Sequence, residues 1–225
     1  MKKSLILLTA LCATPAFAAD NGLYATGSVG INYGDTVDGE GNVVNFKGFG
    51  NDTGESYTLG LGYQYSENVR FETRYSHKEN ESDGTKTALT GLGTPSAGTF
   101  TDELKSDSLT VDMFYDFANS TKFTPYVKAG VGFSRNSYKA DFNVPDLEVA
   151  FGSADYPYGK KTSTEVTWNV GAGASYELTS EWAVFTEYQI QSLGEVATKK
   201  DSFGDRWVND SYLIQEVNLG LRYSF

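Results

Sequence analysis

The chain has 225 residues, of which 40% are hydrophobic and 21% are charged, and its net charge is −11 at pH 7. This composition excludes a wholly disordered chain, and the acidic balance argues against nucleic-acid binding, which rewards dense Lys and Arg. The 24 Gly, 15 Tyr and 14 Phe against 5 Pro favour an all-β chain, and beyond residue 20 no apolar run is long enough for a transmembrane helix.

Residues 1–18 have the features of a secretory signal peptide. Two Lys form a basic start, residues 5–13 are largely apolar, and residues 16–18 form a small-x-small cleavage site. Cleavage leaves a single predicted domain, residues 19–225, and the loss of two Lys takes the net charge from −11 to −13. Cys12 leaves with the signal, so the mature chain has no cysteine for disulfides, thiolate catalysis or zinc.

Eight later segments alternate between apolar and polar residues. In one of them Leu59 and Leu61 fall on one face, while Thr58 and Gly60 fall on the other. A period of two over this length predicts β-strands that each have one apolar and one polar face. The eight segments are residues 22–34, 56–65, 69–76, 109–117, 127–134, 165–176, 182–190 and 213–225.

The connections between these segments alternate in length. Three are short, and four are long and polar: 34–55, 78–107, 139–163 and 195–211. This pattern predicts an up-and-down, eight-stranded antiparallel transmembrane β-barrel with short periplasmic turns and long extracellular loops. The connection 78–107, which is rich in Gly, Thr and Ser around residues 91–101, is expected to be mobile. Aromatic residues at the strand ends would form two girdles: Tyr65, Phe117, Phe123, Tyr176, Trp182 and Phe225 near the short turns, and Tyr33, Tyr57, Tyr75, Phe133, Trp168 and Tyr188 near the long loops.

A soluble eight-stranded barrel of the lipocalin kind is the main alternative. It would place the apolar face inside and the polar face outside. The polar face is rich in Gly, Ser, Thr and Asn with isolated charges, whereas a soluble exterior carries many charges. The pattern therefore favours the membrane barrel.

The two ends of the mature chain resemble a known family. The opening Gly22–Gly30 (GLYATGSVG) and the closing Val217–Phe225 (VNLGLRYSF) are similar to small bacterial outer-membrane barrels of the opacity-protein, OmpX/Ail and OmpA membrane-domain types. The resemblance covers the mature chain in architecture, and its motifs are specific at the two ends. It implies an outer-membrane location among lipid and lipopolysaccharide. No cofactor is expected. It also implies the barrel-assembly machinery as a partner, with Tyr223 and Phe225 as the assembly signal.

Ionisable residues on the polar faces form the main candidate site. An eight-stranded barrel is just wide enough for side chains to fill its interior, and isolated charges there are costly. We therefore expect paired charges that plug the lumen, and not an open ion path, since general porins use about 16–18 strands. The predicted network is Arg70, Glu72, Arg74, Asp112, Asp116, Lys128, Glu187, Glu216 and Arg222.

His77 is the one histidine of the chain, which argues against a histidine-built metal site. Some barrels of this size are lipid A deacylases or palmitoyltransferases that use a His and a Ser near the outer rim. Asp107 would begin the paired strand on the face of His77, but Ser76 points to the opposite side of the pleat. The positions two residues away are Tyr75 and Glu79, so a rim residue without a catalytic role is favoured.

The long connections hold 19 acidic and 10 basic residues. They would repel lipopolysaccharide phosphates unless Mg²⁺ or Ca²⁺ bridges the two, although no Asp-x-Asp-x-Asp-Gly calcium loop is present. The leading hypothesis is a non-enzymatic outer-membrane surface protein with a plugged lumen. It would serve adhesion or host interaction, through a host or cell-surface ligand of the loops, or else envelope integrity. The alternative is a narrow conduit for small or hydrophobic solutes, and the third hypothesis is a lipid A-modifying enzyme.

Overall fold

The computed structural model describes residues 22–40, 46–49, 53–89, 95–143, 155–200 and 206–225. The predicted signal peptide lies outside these ranges, so the division of the chain after residue 18 stays a prediction. The described ranges contain no helix that is long and apolar enough to cross a membrane. They contain twelve strands: β1 (Leu23–Gly34), β2 (Val37–Glu40), β3 (Phe46–Phe49), β4 (Thr53–Gln64), β5 (Val69–Leu89), β6 (Pro95–Asp116), β7 (Phe123–Asn143), β8 (Asp155–Glu177), β9 (Trp182–Ser192), β10 (Val196–Ala197), β11 (Arg206–Asn209) and β12 (Leu213–Ser224).

Eight of these strands close into an antiparallel barrel, in the order β1-β12-β9-β8-β7-β6-β5-β4. The first strand closes the ring because it pairs with β12 on one side, with Gly27 opposite Leu221, and with β4 on the other, with Gly27 opposite Leu59. Closure pairs the backbone groups of every barrel strand, which a membrane-spanning sheet requires. The predicted fold class is confirmed.

The faces of the barrel strands are arranged as predicted for a membrane barrel. Leu61 and Ile31 are 68% and 65% exposed on the outside, whereas Thr58 and Glu72 are 2% and 3% exposed inside. Outward apolar residues on every barrel strand form a surface that only lipid would cover favourably. Within the girdle near the short turns, the rings of Trp182 and Tyr223 lie 4.8 Å apart.

Four barrel strands, β5 to β8, are 21 to 23 residues long and continue well beyond the predicted segments. This corrects the expectation of loops over most of 78–107 and 139–163. In the lower part of β6 the apolar Leu109 and Val111 face outward, but in its upper part Phe100 and Leu104 face inward. The alternation continues with its apolar and polar faces exchanged. Of the connection 78–107, which is expected to be mobile, residues 78–89 belong to β5, residues 90–94 lie outside the described residues and residues 95–107 belong to β6.

The strands β10-β11-β2-β3 form a second sheet in that order. Together with the upper ends of β6, β7 and β8 they make a module that we call the cap. In its core the rings of Phe100 and Trp207 lie 4.7 Å apart, and Tyr158 packs edge-on against Trp207. The buried cap core consists of Val37, Phe100, Leu104, Tyr138, Ala140, Tyr158, Leu193, Val196, Trp207, Tyr212 and Ile214. The barrel therefore has an apolar module above its polar lumen.

Candidate functional site: the lumen and the outer rim

The charged residues predicted to face the lumen do so. Eight of the nine are at most 5% exposed: Arg70, Glu72, Arg74, Asp112, Asp116, Lys128, Glu187 and Glu216. Each lies at an inward position of its strand, between small residues such as Gly60 and Gly130 that leave room for long side chains from the neighbouring strands. Their burial means that their charges must be compensated within the barrel.

Two cations and two carboxylates form the centre of the lumen. Arg74 Nη1 lies 2.8 Å from Glu187 Oε1 and 3.5 Å from Asp112 Oδ2. Lys128 Nζ lies 3.0 Å from Asp112 Oδ2 and 3.1 Å from Glu187 Oε1. Each cation thus contacts both carboxylates, and Asn169 donates a further hydrogen bond of 3.0 Å to Asp112. Every charge in this group has two opposite charges as neighbours.

A second group lies nearer the short turns. Arg70 Nε donates to both carboxylate oxygens of Asp116, at 3.1 and 3.0 Å. The Arg70 guanidinium also stacks 3.8 Å from the centroid of the Phe114 ring. Glu72 lies between the two arginines, 3.7 Å from Arg70 Nη1 and 3.6 Å from Arg74 Nε. Glu72 therefore links this group to the centre.

A third group surrounds Glu216 and contains a residue that was not predicted. Lys78 Nζ lies 2.8 Å from Glu216 Oε2, and both side chains are fully buried. Ser56 and Gln189 donate to Glu216 at 2.5 and 2.6 Å, and Gln189 Oε1 accepts from Lys128 at 2.6 Å. Lys78 was assigned to a loop, although it continues the inward positions 70, 72, 74 and 76 of β5. With Lys78 the lumen holds five cations and five carboxylates among the described residues.

Arg222 does not join the network. It is half-buried at the short-turn end of the lumen, and in the described part of the chain it has no ion pair. Its guanidinium lies 5.8 Å from the centroid of the Tyr24 ring. A void of about 10 Å³ between Arg70, Arg222 and their neighbours has room for about one water molecule.

His77 lies on the outer surface of the barrel at the rim nearest the cap. Its ring stacks on Tyr57, with centroids 5.0 Å apart. Nδ1 lies 2.7 Å from Asp107 Oδ1, which also accepts a 2.7 Å hydrogen bond from the Tyr75 hydroxyl. Nε2 lies 3.2 Å from Glu79 Oε1. Both ring nitrogens thus face carboxylates, so neither contacts a hydroxyl that it could activate as a base.

Above His77, the outer faces of β5, β6 and β7 carry alternating charges. Lys105 Nζ lies 3.1 Å from Glu79 and 3.2 Å from Glu103, and Lys139 Nζ lies 2.7 Å from Glu103. The hydrogen bond from Lys105 lowers the pKa of Glu79, and that from Lys139 lowers the pKa of Glu103. Lys105 and Lys139 are therefore both neutralised by carboxylates.

The proposed assembly signal lies at the end of β12. Tyr223 packs between Trp182 and Phe225, and the backbone N–H of Phe225 donates 3.0 Å to the carbonyl of Leu23. Both residues are thus held at the seam where the last strand meets the first. Their role as a signal stays a prediction.

Comparisons with known proteins place this architecture in a family. The model of the "Outer membrane protein beta-barrel domain" family matches residues 4–225. "Outer membrane protein PagN" of Salmonella typhimurium is 26% identical over 238 residues, which cover 97% of this chain and 95% of that protein. The crystal structure of Neisserial surface protein A is similar with a TM-score of 0.58 at 18% identity, covering 92% of this chain and 100% of that one. OprG from Pseudomonas aeruginosa is similar with a TM-score of 0.54 at 12% identity, covering 92% and 98%.

Proposed function

The chain belongs to the outer membrane protein β-barrel domain family, and from this premise we propose that it is a non-enzymatic surface protein of the adhesive kind. Its location is the bacterial outer membrane, with the cap on the extracellular side. In this proposal the cap presents a binding surface to host or neighbouring cells. The barrel anchors the cap, and its lumen is closed by paired side chains.

The observation that carries this proposal is the buried core of the cap. Trp207, Leu193 and Ala140 are 0% exposed, although they lie above the membrane band of the barrel. Ordering the long connections into a packed module costs conformational entropy. A protein that served only as a membrane anchor would not need such a module. A rigid projecting surface reduces the ordering cost of binding a partner. This favours a role in surface contact.

The lumen supports a plug better than a conduit. Eight buried charged residues of the predicted set and Lys78 form linked ion pairs across it, and the void beside Arg70 has room for only about one water molecule. A solute that passed along the axis would have to separate these pairs and leave charges unpaired in a desolvated site. The apolar cap core lies above them as a second obstacle. The conduit is thus the less favoured candidate.

The lipid A-modifying hypothesis has little support from the geometry. His77 and Asp107 are hydrogen-bonded as two members of a catalytic triad would be, but the second ring nitrogen faces Glu79. Ser76 points into the lumen, where it shares a 2.5 Å hydrogen bond with Thr58. The His77 ring therefore has no nucleophile beside it among the described residues.

A cap variant and a matched barrel variant test the adhesive role. Trp207→Ala removes the ring at the centre of the cap core, and such a change in a packed core costs about 3–5 kcal/mol. Trp168→Ala removes an equally large side chain from the lipid-facing surface, where it is 43% exposed. Each variant is expressed in a non-adherent Gram-negative strain, and binding to epithelial cells is counted.

We expect the wild type and Trp168→Ala to confer binding to epithelial cells, and Trp207→Ala to lose most of this binding. The barrel of Trp207→Ala should still show the heat-dependent gel mobility of a folded barrel. Equal binding by Trp207→Ala and the wild type would overturn the assignment to the cap. If the wild type confers no binding, and deletion from the native strain increases permeability to detergents, envelope integrity replaces adhesion.

A further inference from the structure

The chain leaves the barrel wall where β9 ends. Ser192, the last residue of β9, pairs with Trp168 of β8, whereas β8 continues along β7 as far as Asp155. Within the described ranges, no barrel strand therefore lies on the other side of the upper part of β8. The residues that follow β9 are 193–198, and we call them the strap.

The first residue of the strap lies inside the mouth of the barrel. The carbonyl of Leu193 accepts hydrogen bonds of 2.9 Å from Ser134 Oγ and 2.7 Å from Asn136 Nδ2, both buried on the inner face of β7. In the barrel wall β8 separates β7 from β9, so these bonds draw the chain inward past β8. On its other side, the backbone N–H of Leu193 donates 2.8 Å to the carbonyl of Tyr212, the residue before β12. The strap thus bridges the mouth between β12 and β7.

A polar layer lies at the level of this bridge and just below it. Gln191 Nε2 donates to Ser108 Oγ at 3.2 Å and to Thr167 Oγ1 at 2.9 Å. Ser106 Oγ donates 2.8 Å to Asn136 Oδ1, on the same side chain that holds the strap. These five residues are at most 2% exposed. The strap and the cap core therefore shield the polar layer from the medium.

Gly194 gives the strap a hinge. Its φ is +76°, in the left-handed region that glycine adopts without steric cost. A Cβ added to Gly194 would lie 2.6 Å from the Cβ of Glu165, so its neighbour also opposes a larger residue. Hinges are short stretches that absorb large changes of φ and ψ. The position after the buried bonds of Leu193 is thus suited to this role.

Beyond the hinge, the strap is fastened at the surface. The carboxylate of Glu195 contacts Lys161 Nζ and lies 3.9 Å from Arg206 Nη1. The Lys161 and Glu195 side chains are 33% and 30% exposed, in contrast to the buried bonds of Leu193. Salt screens an exposed ion pair, and such a pair contributes little to stability. The surface fastening is therefore the weaker of the two and the one that responds to the medium.

We propose that the strap is a gate at the cap end of the lumen, with Gly194 as its hinge and the Lys161–Glu195–Arg206 group as its latch. The closed gate shields the polar layer around Ser108. The open gate admits water and small solutes to this layer, while the ion pairs below it still close the lumen. The proposal does not depend on the adhesive role, so the failure of either one leaves the other standing.

The accessibility of a thiol tests the gate, because Cys12 is the one cysteine of the chain and lies in the predicted signal peptide. Ser108→Cys places a single thiol in the polar layer with little change in size. Thr164→Cys places one at an exposed position of β8 as a reference. Each reporter is prepared as the full mature barrel in nanodiscs, and the rate of its reaction with a small methanethiosulfonate reagent is measured.

The latch variants E195Q and K161Q are combined with the Ser108→Cys reporter. E103Q is the matched control, because Glu103 also lies between two cations of the cap, Lys105 and Lys139. Heat-dependent gel mobility shows whether each variant retains a folded barrel. K161Q breaks the same contact as E195Q from the other side, so either variant carries the test if the other does not fold.

We expect the Ser108→Cys thiol to react far more slowly than the Thr164→Cys thiol. E195Q and K161Q should each raise the Ser108→Cys rate by about two- to fivefold, the range that corresponds to an exposed ion pair. G194A should raise it by about tenfold, because a residue with a Cβ disfavours the left-handed conformation of the closed strap. Raising the salt from about 0.05 to 0.5 M should increase the rate with the latch intact and leave it unchanged in E195Q.

A Ser108→Cys rate that the latch variants and G194A all leave unchanged overturns the proposal. An equal increase in E103Q also overturns it, because the thiol would then be exposed by loosening of the whole cap and not by the latch. A Ser108→Cys thiol that already reacts as fast as the Thr164→Cys thiol would show that the strap does not shield the polar layer, and this result overturns the proposal as well.

Discussion

Arg74→Ala tests whether the ion pairs of the lumen close the barrel. Arg74 is 4% exposed and contacts three carboxylates, Glu187 at 2.8 Å, Asp112 at 3.5 Å and Glu72 at 3.6 Å. Its removal leaves Glu187 and Asp112 to share the single ammonium of Lys128. Glu72 keeps Arg70 as a more distant partner.

Removing one partner of a buried ion pair costs about 3–5 kcal/mol, because it leaves an uncompensated charge. Here Lys128 and hydrogen bonds from Asn169 and Tyr126 remain, so we expect the free energy of unfolding to fall by about 3 kcal/mol, the lower end of that range. Lys105→Ala is the control. It breaks an exposed pair with Glu79, and such pairs contribute about 0–1 kcal/mol.

Reversible folding into lipid vesicles in urea, followed by tryptophan fluorescence, gives the free energies. Planar bilayers give the conductance, which should be negligible for the wild type and should rise in Arg74→Ala as water enters the lumen. Glu216→Ala, which leaves Lys78 without its carboxylate, should act in the same direction. A large, stable wild-type conductance that neither variant alters would refute the plug and favour the conduit.

Two further measurements test the facing of the strands and the charges of the cap. Val170→Arg places a charge on the lipid face at a cost of about 2–4 kcal/mol, whereas Asn169→Arg, one residue away, places it in the lumen. Folding yields in lipid vesicles should therefore differ between the two variants. Equal yields would contradict the assignment of these two positions to opposite faces of the strand. The hydrogen bond from Lys139 lowers the pKa of Glu103 in the folded protein. The ionised carboxylate therefore stabilises the fold fully at pH values above its unfolded pKa of about 4.3. This stabilisation is lost as the pH falls through the lower pKa of the folded state. Unfolding free energies of the wild type and Glu103→Gln should therefore differ by less than about 1 kcal/mol at pH 6 and converge as the pH falls below the folded pKa of Glu103. A difference that widens in acid would contradict this.

The membrane-spanning part of the fold could be predicted because the alternation of apolar and polar residues within each strand is enough to identify it. A lipid-facing residue must be apolar whichever strand lies beside it, so alternation within one segment identifies the strand and its two faces. The inward positions of Arg70, Glu72 and Arg74 follow from this parity alone. The facing of His77 and Asp107 onto one surface follows from the same rule.

The ends of the strands could not be predicted in this way. Above the membrane no lipid requires an apolar outer face, and Phe100 and Leu104 instead face inward into the cap core, where Phe100 packs against Trp207. Along such a strand the apolar residues therefore move from the outward to the inward positions. In sequence, the part of the strand above the membrane then resembles a polar loop. Lys78 was missed for this reason, although it continues the parity of β5 and binds Glu216.

The sequence by itself determined the class of the protein, the facing of each membrane strand and most of the charges in the lumen, because these depend on the local contrast between lipid and lumen. Only the tertiary structure decided which charges pair and that Arg222 stands apart from them, since partners come from strands distant in sequence. It also decided that the long connections fold into a cap with a buried apolar core. Such contacts are long-range, and no periodicity within a segment encodes them.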